Sequence, residues 1–282
     1  MVICKELNRE FDTKHDMLKA LYENKDNIIS LKKAQVYKSH EKGLGVDLRY
    51  YHEETNKVYC TKALNEIKGF DDGFLYPVIS NVNYADSHKD AHLTNSMNRT
   101  IKHQKGNIHY VLDHKLETGK IIAYPQDVEM LIKEIEWKNL GKPYTGKTQC
   151  LLFKTEPQEY TPKEALDVIK LNLPTQHSIR MVYKDISFGI KDRSDEWADA
   201  NKEWDDNIDL IVNKEVLDDD GYVWFVKELG IVSEGSMLPL GSNDATPLFY
   251  TPESAKSTSE QKAELARKAL QESKLIINPN FY

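Results

Sequence analysis

Cysteine is scarce in this chain, and the three residues present, Cys4, Cys60 and Cys150, are odd in number and far apart. That spacing excludes a small disulfide scaffold and the paired thiolates of a zinc ribbon, and it points to a reducing, cytoplasmic setting. Long apolar runs are missing too, so no segment reads as a membrane span. Met1 to Asp12 already carries Lys5, Glu6, Arg9 and Glu10, which leaves no room for the apolar core of a secretory signal. An excess of positive charge is likewise lacking. A formal net charge of −7 and a pI near 5.8 exclude the general basic footprint that releases counterions from nucleic acid. Basic protein segments remain suitable partners.

What is present is enough apolar material for a substantial core: 40% hydrophobic and 10% aromatic residues in 282. The patterning divides the chain into an extension at 1–70, a central unit at 71–250, and a tail at 251–282 rich in Ser, Thr, Lys, Glu and Ala. In the first part, a capping box at Thr13 and Asp16 predicts a helix over 13–24. Strands are expected at Ile28 to Tyr37, Val46 to Tyr51 and Val58 to Leu64, with a turn at Gly43 and Gly45. In the central unit, Met97 to Lys105 reads as a short helix, apolar residues at helical spacing predict a helix at 127–140, and the capping box Thr161-Pro-Lys-Glu164, with proline at the first helical position, predicts one at 161–171. An acidic amphipathic helix is expected at 195–212. Period-two alternation marks strands at Ile108 to Asp113, from Gln176 onward, and at Tyr222 to Val232. A surface helix is expected at 258–273.

Three of these strands each supply one polar residue suited to acyl transfer. Ser178 begins the run Gln-His-Ser-Ile-Arg at 176–180, His114 closes the run from Ile108 on the parity of Leu112, and Glu228 interrupts the apolar stretch 222–232. A serine becomes a nucleophile when a base takes its proton, and a carboxylate can orient that base. Arg180 shares the parity of Ser178 and could organise an oxyanion-binding water or contact a substrate backbone. Each residue also has an ordinary reading: a hydrogen-bonded strand serine, a satisfied structural histidine, a solvated strand-edge charge.

Two other constellations compete. His88, His92, His103 and His109 crowd together with Asp86 and Asp90, but without the glutamate of a His-Glu-x-x-His zinc helix. Gly141-Lys-Pro-Tyr-Thr-Gly-Lys-Thr148 has the spacing of a phosphate loop, yet Pro143 and Tyr144 replace small residues and no strand is expected before it.

The ordered set Val111-Leu-Asp-His114, Thr118-Gly-Lys-Ile-Ile, Gln176-His-Ser-Ile179, Lys227-Glu-Leu-Gly-Ile-Val232 and Gly241-Ser-Asn-Asp-Ala245 resembles the prohead serine proteases of tailed phages. Those are similar to the herpesvirus assemblin. That family's pattern has a strand ending in His, a Ser-Ile-Gly strand, and a Glu-x-Ser-x-Val strand before a Pro-Ala-Asn-x-x-Ala-like segment; Asn83 to Asp90 resembles its Asp-rich segment. The resemblance covers residues 78–246. Arg180 stands where the phage pattern has glycine, and Gly230 where it has serine.

The resemblance implies an α+β fold built on a closed, mainly antiparallel β-barrel ringed by helices. It also implies a serine endopeptidase with His114, Ser178 and Glu228 as its catalytic set, Arg180 near the oxyanion, and no cofactor or metal. The expected partners are scaffold, major capsid and portal proteins inside a procapsid in the host cytoplasm, with homodimerisation or self-cleavage as further events. A structural capsid protein that keeps the fold without activity is the alternative.

Overall fold

The computed structural model describes residues 1–34, 37–38 and 73–250. The strands expected at Val46 to Tyr51 and Val58 to Leu64, the Gly43 and Gly45 turn, and the tail helix at 258–273 lie outside the described residues. So does Cys60; Cys4 and Cys150 are buried free thiols.

The chain opens with a two-stranded ribbon, β1 (Val2–Cys4) and β2 (Arg9–Phe11), followed by α1 (Lys14–Glu23) and α2 (Lys25–Ala34). The α1 cap is the one the sequence indicates, with Thr13 Oγ accepting from the Asp16 N–H at 3.1 Å. Where a strand is expected at Ile28 to Tyr37, helix α2 forms through Ala34. Ile28 and Lys32, four residues apart, turn inward together, and the helical face wins over the local β-branched run.

Twelve strands and five α-helices are described in all. A six-stranded sheet runs β3 (Tyr37–Lys38), β10 (Gln176–Ile190), β11 (Tyr222–Leu238), β6 (His109–Leu112), β7 (Ile121–Ala123), with β5 (Asp90–His92) also paired to β11. A four-stranded sheet runs β12 (Leu248–Tyr250), β4 (Leu75–Asn81), β9 (Lys147–Lys154), β8 (Glu129–Glu136). The remaining helices are α3 (Asn98–Gln104), α4 (Lys163–Lys170) and α5 (Ala198–Asn207). The α+β class is present, but the closed barrel is not: among the described residues every sheet is open and none closes on itself. The pairing is also mixed, because β5 and β6 both run parallel to β11, at Trp224–Val226 and Glu234–Met237. The 17 residues of β11 are long enough to take two short partners in succession along one edge.

The helix expected at 127–140 is instead strand β8, all eight of whose residues pair with β9. Its helical spacing is overridden by cross-strand pairing with the apolar run Cys150 to Phe153, a case of tertiary context deciding a β-branched segment. The two larger sheets pack face to face. Phe153 of β9 and Ile79 of β4 lie against Gly235 of β11, where an added Cβ would fall 2.6 Å from the Phe153 ring. Tyr110 meets Phe153 edge-on at 6.1 Å. The N-terminal segment joins this core: Cys4, Phe11, Met17, Leu18 and Ile28 belong to the same buried cluster as Trp197, Tyr222 and Trp224. Lys32 seals the junction by donating to buried Asp90 at 2.7 Å.

Candidate functional site

Alternation along β10, β11 and β6 sorts the neighbourhood of Ser178 into two faces. Ser178 is paired with Ser236, and Ser236 with Val111. The flanking residues His177, Gly235, Met237, Tyr110 and Leu112 point the other way, into the core between the sheets. Tyr110 donates there to His177 Nε2 at 2.9 Å. His177 Nδ1–H in turn donates to the Thr246 carbonyl at 2.8 Å. Burial pushes the His177 imidazole down to about 4, with the Thr246 carbonyl opposing, so this neighbour of Ser178 is a neutral core residue.

His114 reaches the Ser178 face by a route that strand parity does not describe. The strand ends at Leu112, and Asp113 (φ 51°) and His114 (φ 55°) are both left-handed. The Lys115 N–H donates to the Leu112 carbonyl at 2.9 Å, so His114 is the third residue of a type I′ turn, a place that favours glycine or asparagine. Holding a histidine there costs about 1 kcal/mol. The turn swings the ring to the face opposite Leu112, which corrects the expectation that the two share one.

There the His114 ring meets Glu234. Nδ1 donates to Glu234 Oε1 at 2.9 Å, with the histidine side chain 4% and the glutamate 0% exposed. In the neutral ring this bond leaves the lone pair on Nε2, the tautomer a general base requires. Glu234 Oε2 is buried and has no hydrogen-bond partner among the described residues. Ser236, two residues on and on the same face, accepts the His114 backbone N–H at 2.8 Å. Ser178 is the cross-strand neighbour of Ser236, which places their Cβ atoms about 5 Å apart. Ser178, His114 and Glu234 are therefore contributed by β10, by the turn after β6 and by β11.

Glu228 does not join them. It lies opposite Asp185 on β10, seven residues and about 23 Å along the strand from Ser178 at 3.3 Å per residue. Its carboxylate accepts from exposed Arg99 at 3.1 Å. Glu234 lies beyond the expected strand end at Val232, because β11 continues to Leu238, and an irregularity intervenes. Ile179 pairs with Gly235 but Met181 with Ile231, so β11 carries two extra residues in a bulge containing left-handed Ser233. Bulges re-aim side chains in this way next to functional sites. A sequence signal did exist: Glu234-Gly-Ser236 has the Glu-x-Ser spacing that Glu228-Leu-Gly230 lacks.

Arg180 lies two residues from Ser178, opposite the β11 bulge, and pairs through its backbone with Lys38. Its Nε is buried without a hydrogen-bond partner among the described residues. Ser178 itself is 5% exposed. A cavity of about 30 Å³ lined by Ser178, His177, Ser80, His92 and Asn243 lies beside it, room for a water but not for a peptide side chain of any size.

The competing constellations are dispersed. His92 Nδ1 lies 3.1 Å from Ser80 Oγ, His109 Nδ1–H donates to the Ser233 carbonyl at 3.2 Å, and Asp90 is taken by Lys32. Among the described residues no three His, Cys, Asp or Glu side chains are grouped for a metal. Lys147 of the Gly-x4-Gly-Lys-Thr sequence opens strand β9, and Thr148 Oγ donates to the Val82 carbonyl at 2.7 Å. A phosphate loop needs a helix there, whose N-terminal N–H groups hold the anion.

No protein-family model, no curated protein and no solved structure matches this chain. Among the described residues, no helix is long and apolar enough to cross a membrane.

Proposed function

We propose that the protein is a serine hydrolase with Ser178 as nucleophile, His114 as general base and acid, and Glu234 as the carboxylate that orients the imidazole. The observation that carries this reading is the buried Glu234 to His114 Nδ1 bond, on the same face as Ser178 and tied to its neighbour Ser236. Ser178 Oγ attacks a carbonyl carbon as its proton passes to His114 Nε2. The imidazolium formed is stabilised by Glu234 and then protonates the leaving amine. Water, deprotonated by the same nitrogen, attacks the acyl-enzyme; its proton returns to Ser178 as the acid departs. Arg180, with an unsatisfied buried Nε, supplies positive charge near the developing oxyanion.

Within that class the reading is an endopeptidase of capsid maturation. Its support is the order of the His114, Ser178 and Glu234-Gly-Ser236 segments, which resembles the prohead proteases more fully with Glu234 than with Glu228. Its substrates are then scaffold, major capsid and portal proteins within a procapsid in the host cytoplasm. A second reading, a structural capsid protein that carries these residues without turnover, is favoured by one observation: Ser178 and His114 are 5% and 6% exposed. Coexpression with candidate scaffold and capsid proteins separates the two. The protease reading expects cleavage that Ser178→Ala abolishes; cleavage surviving that substitution removes Ser178 from the chemistry, and intact partners with the unaltered protein favour the structural role.

A further inference from the structure

We infer that Ser236 is a positioning residue that holds the backbone of His114 in register with Ser178, an inference that rests on reading Ser178, His114 and Glu234 as a catalytic set. Two side chains from one face of β11 grip the same histidine by different atoms. Glu234 takes the ring at Nδ1, and Ser236 Oγ takes the main-chain N–H at 2.8 Å. The same hydroxyl lies 3.3 Å from the Val111 carbonyl, to which it can donate, so it bridges Val111 near the end of β6 and His114 in the turn that follows. Ser236 is fully buried and is the register partner of Ser178. One hydroxyl therefore fixes the distance between the strand bearing the nucleophile and the residue bearing the base.

The turn needs such a clamp for function and not for its own formation. Its closing bond from Lys115 to Leu112, and the Asp113 N–H to Met237 carbonyl bond at 3.1 Å, are main-chain contacts that do not involve Ser236 Oγ. What that oxygen adds is an acceptor for a buried N–H on a left-handed residue, the place where a non-glycine backbone is most readily displaced. Gly235 explains why the two gripping residues are separated by glycine: the Phe153 ring occupies the space of a Cβ, pinning β11 from behind.

The test uses the full chain with Ser236→Ala and Ser236→Cys, the latter keeping the volume while replacing the oxygen by a weak acceptor. The rate of Ser178 modification by a fluorophosphonate is followed with the thermal midpoint and the downfield proton resonance of the His114 Nδ1–H bond. The expected result is a limiting rate about 10- to 100-fold lower, half-saturation within about twofold, and a shifted or broadened Nδ1–H resonance in whichever variant folds. A folded variant with an unaltered rate and resonance overturns the positioning role while leaving the proposed function standing. If the unaltered protein is not modified at Ser178, the proposed function fails instead. The resonance then decides for Ser236 by itself: movement supports the clamp and no movement overturns it.

Discussion

Replacing Glu234 by glutamine keeps the shape of the side chain and removes its charge from a fully buried position. The carboxylate is held by one bond, to His114 Nδ1 at 2.9 Å, and its second oxygen has no hydrogen-bond partner among the described residues. Among the described residues, nothing on the far side therefore dictates which way the amide faces. With the amide nitrogen toward the ring, His114 must carry its proton on Nε2 and loses the lone pair that serves Ser178. With the amide oxygen toward the ring, the tautomer survives but the imidazolium loses its counter-charge. The expected fall in turnover or fluorophosphonate labelling is about 10²- to 10⁴-fold, which is about 3 to 5 kcal/mol of barrier. Stability responds differently, because a neutral amide relieves the desolvation of a buried charge: the unfolding free energy from urea titration should change by no more than about 1 kcal/mol in either direction. Glu228→Gln supplies the contrast, breaking a surface ion pair with Arg99 that is worth about 0.2 to 1 kcal/mol, with activity unchanged. Glu234→Gln within threefold of the unaltered rate, or a larger loss in Glu228→Gln, would refute the assignment.

Three further outcomes follow from the core around the site. The His177 imidazole titrates near 4 when folded against about 6.5 when unfolded, so the unfolded chain takes up the proton first as pH falls. Its contribution is complete above pH 6.5 and is lost between 6.5 and 4, at about 1.4 kcal/mol per unit; burial also lowers His92, with the same sign. Urea titrations at pH 7.5, 5.5 and 4.5 should show this decline, and His177→Gln should flatten it. Lys32→Ala strips the cation from buried Asp90 and should cost about 3 to 5 kcal/mol, most of it returned when Asp90→Leu accompanies Lys32→Met; chemical denaturation of the single and double variants measures both. Gly235→Ala forces a methyl group against Phe153 and should cost about 1 to 3 kcal/mol, with labelling of Ser178 slowed as Glu234 and Ser236 shift.

Much of the site was legible as pattern. Alternation placed Ser178 on a strand and ended another just short of His114, and the capping box at Thr13 formed at the start of α1, whereas α4 is capped by Pro162 without a side-chain bond and Thr161 Oγ donates to the Ile122 carbonyl instead. What alternation cannot express is a change of hand. Two left-handed residues at Asp113 and His114, and a third at Ser233 inside the β11 bulge, break the period-two count where His114 and Glu234 sit. Parity therefore assigns His114 to the face of Leu112, and the apolar stretch 222–232 singles out Glu228, whereas Glu234 lies past the expected strand end at Val232. At β8 and α2, apolar spacing was ambiguous over a single turn and long-range pairing settled it. Whether strands close into a barrel depends on which edges meet, information that no local period holds.

Mass-spectrometric mapping of a fluorophosphonate adduct tests the central claim most directly. The account predicts one adduct on Ser178, formed by the unaltered protein and by Glu228→Gln and lost in His114→Ala. An adduct on another serine, such as Ser80 beside His92, or labelling of Ser178 that persists without His114, would contradict it.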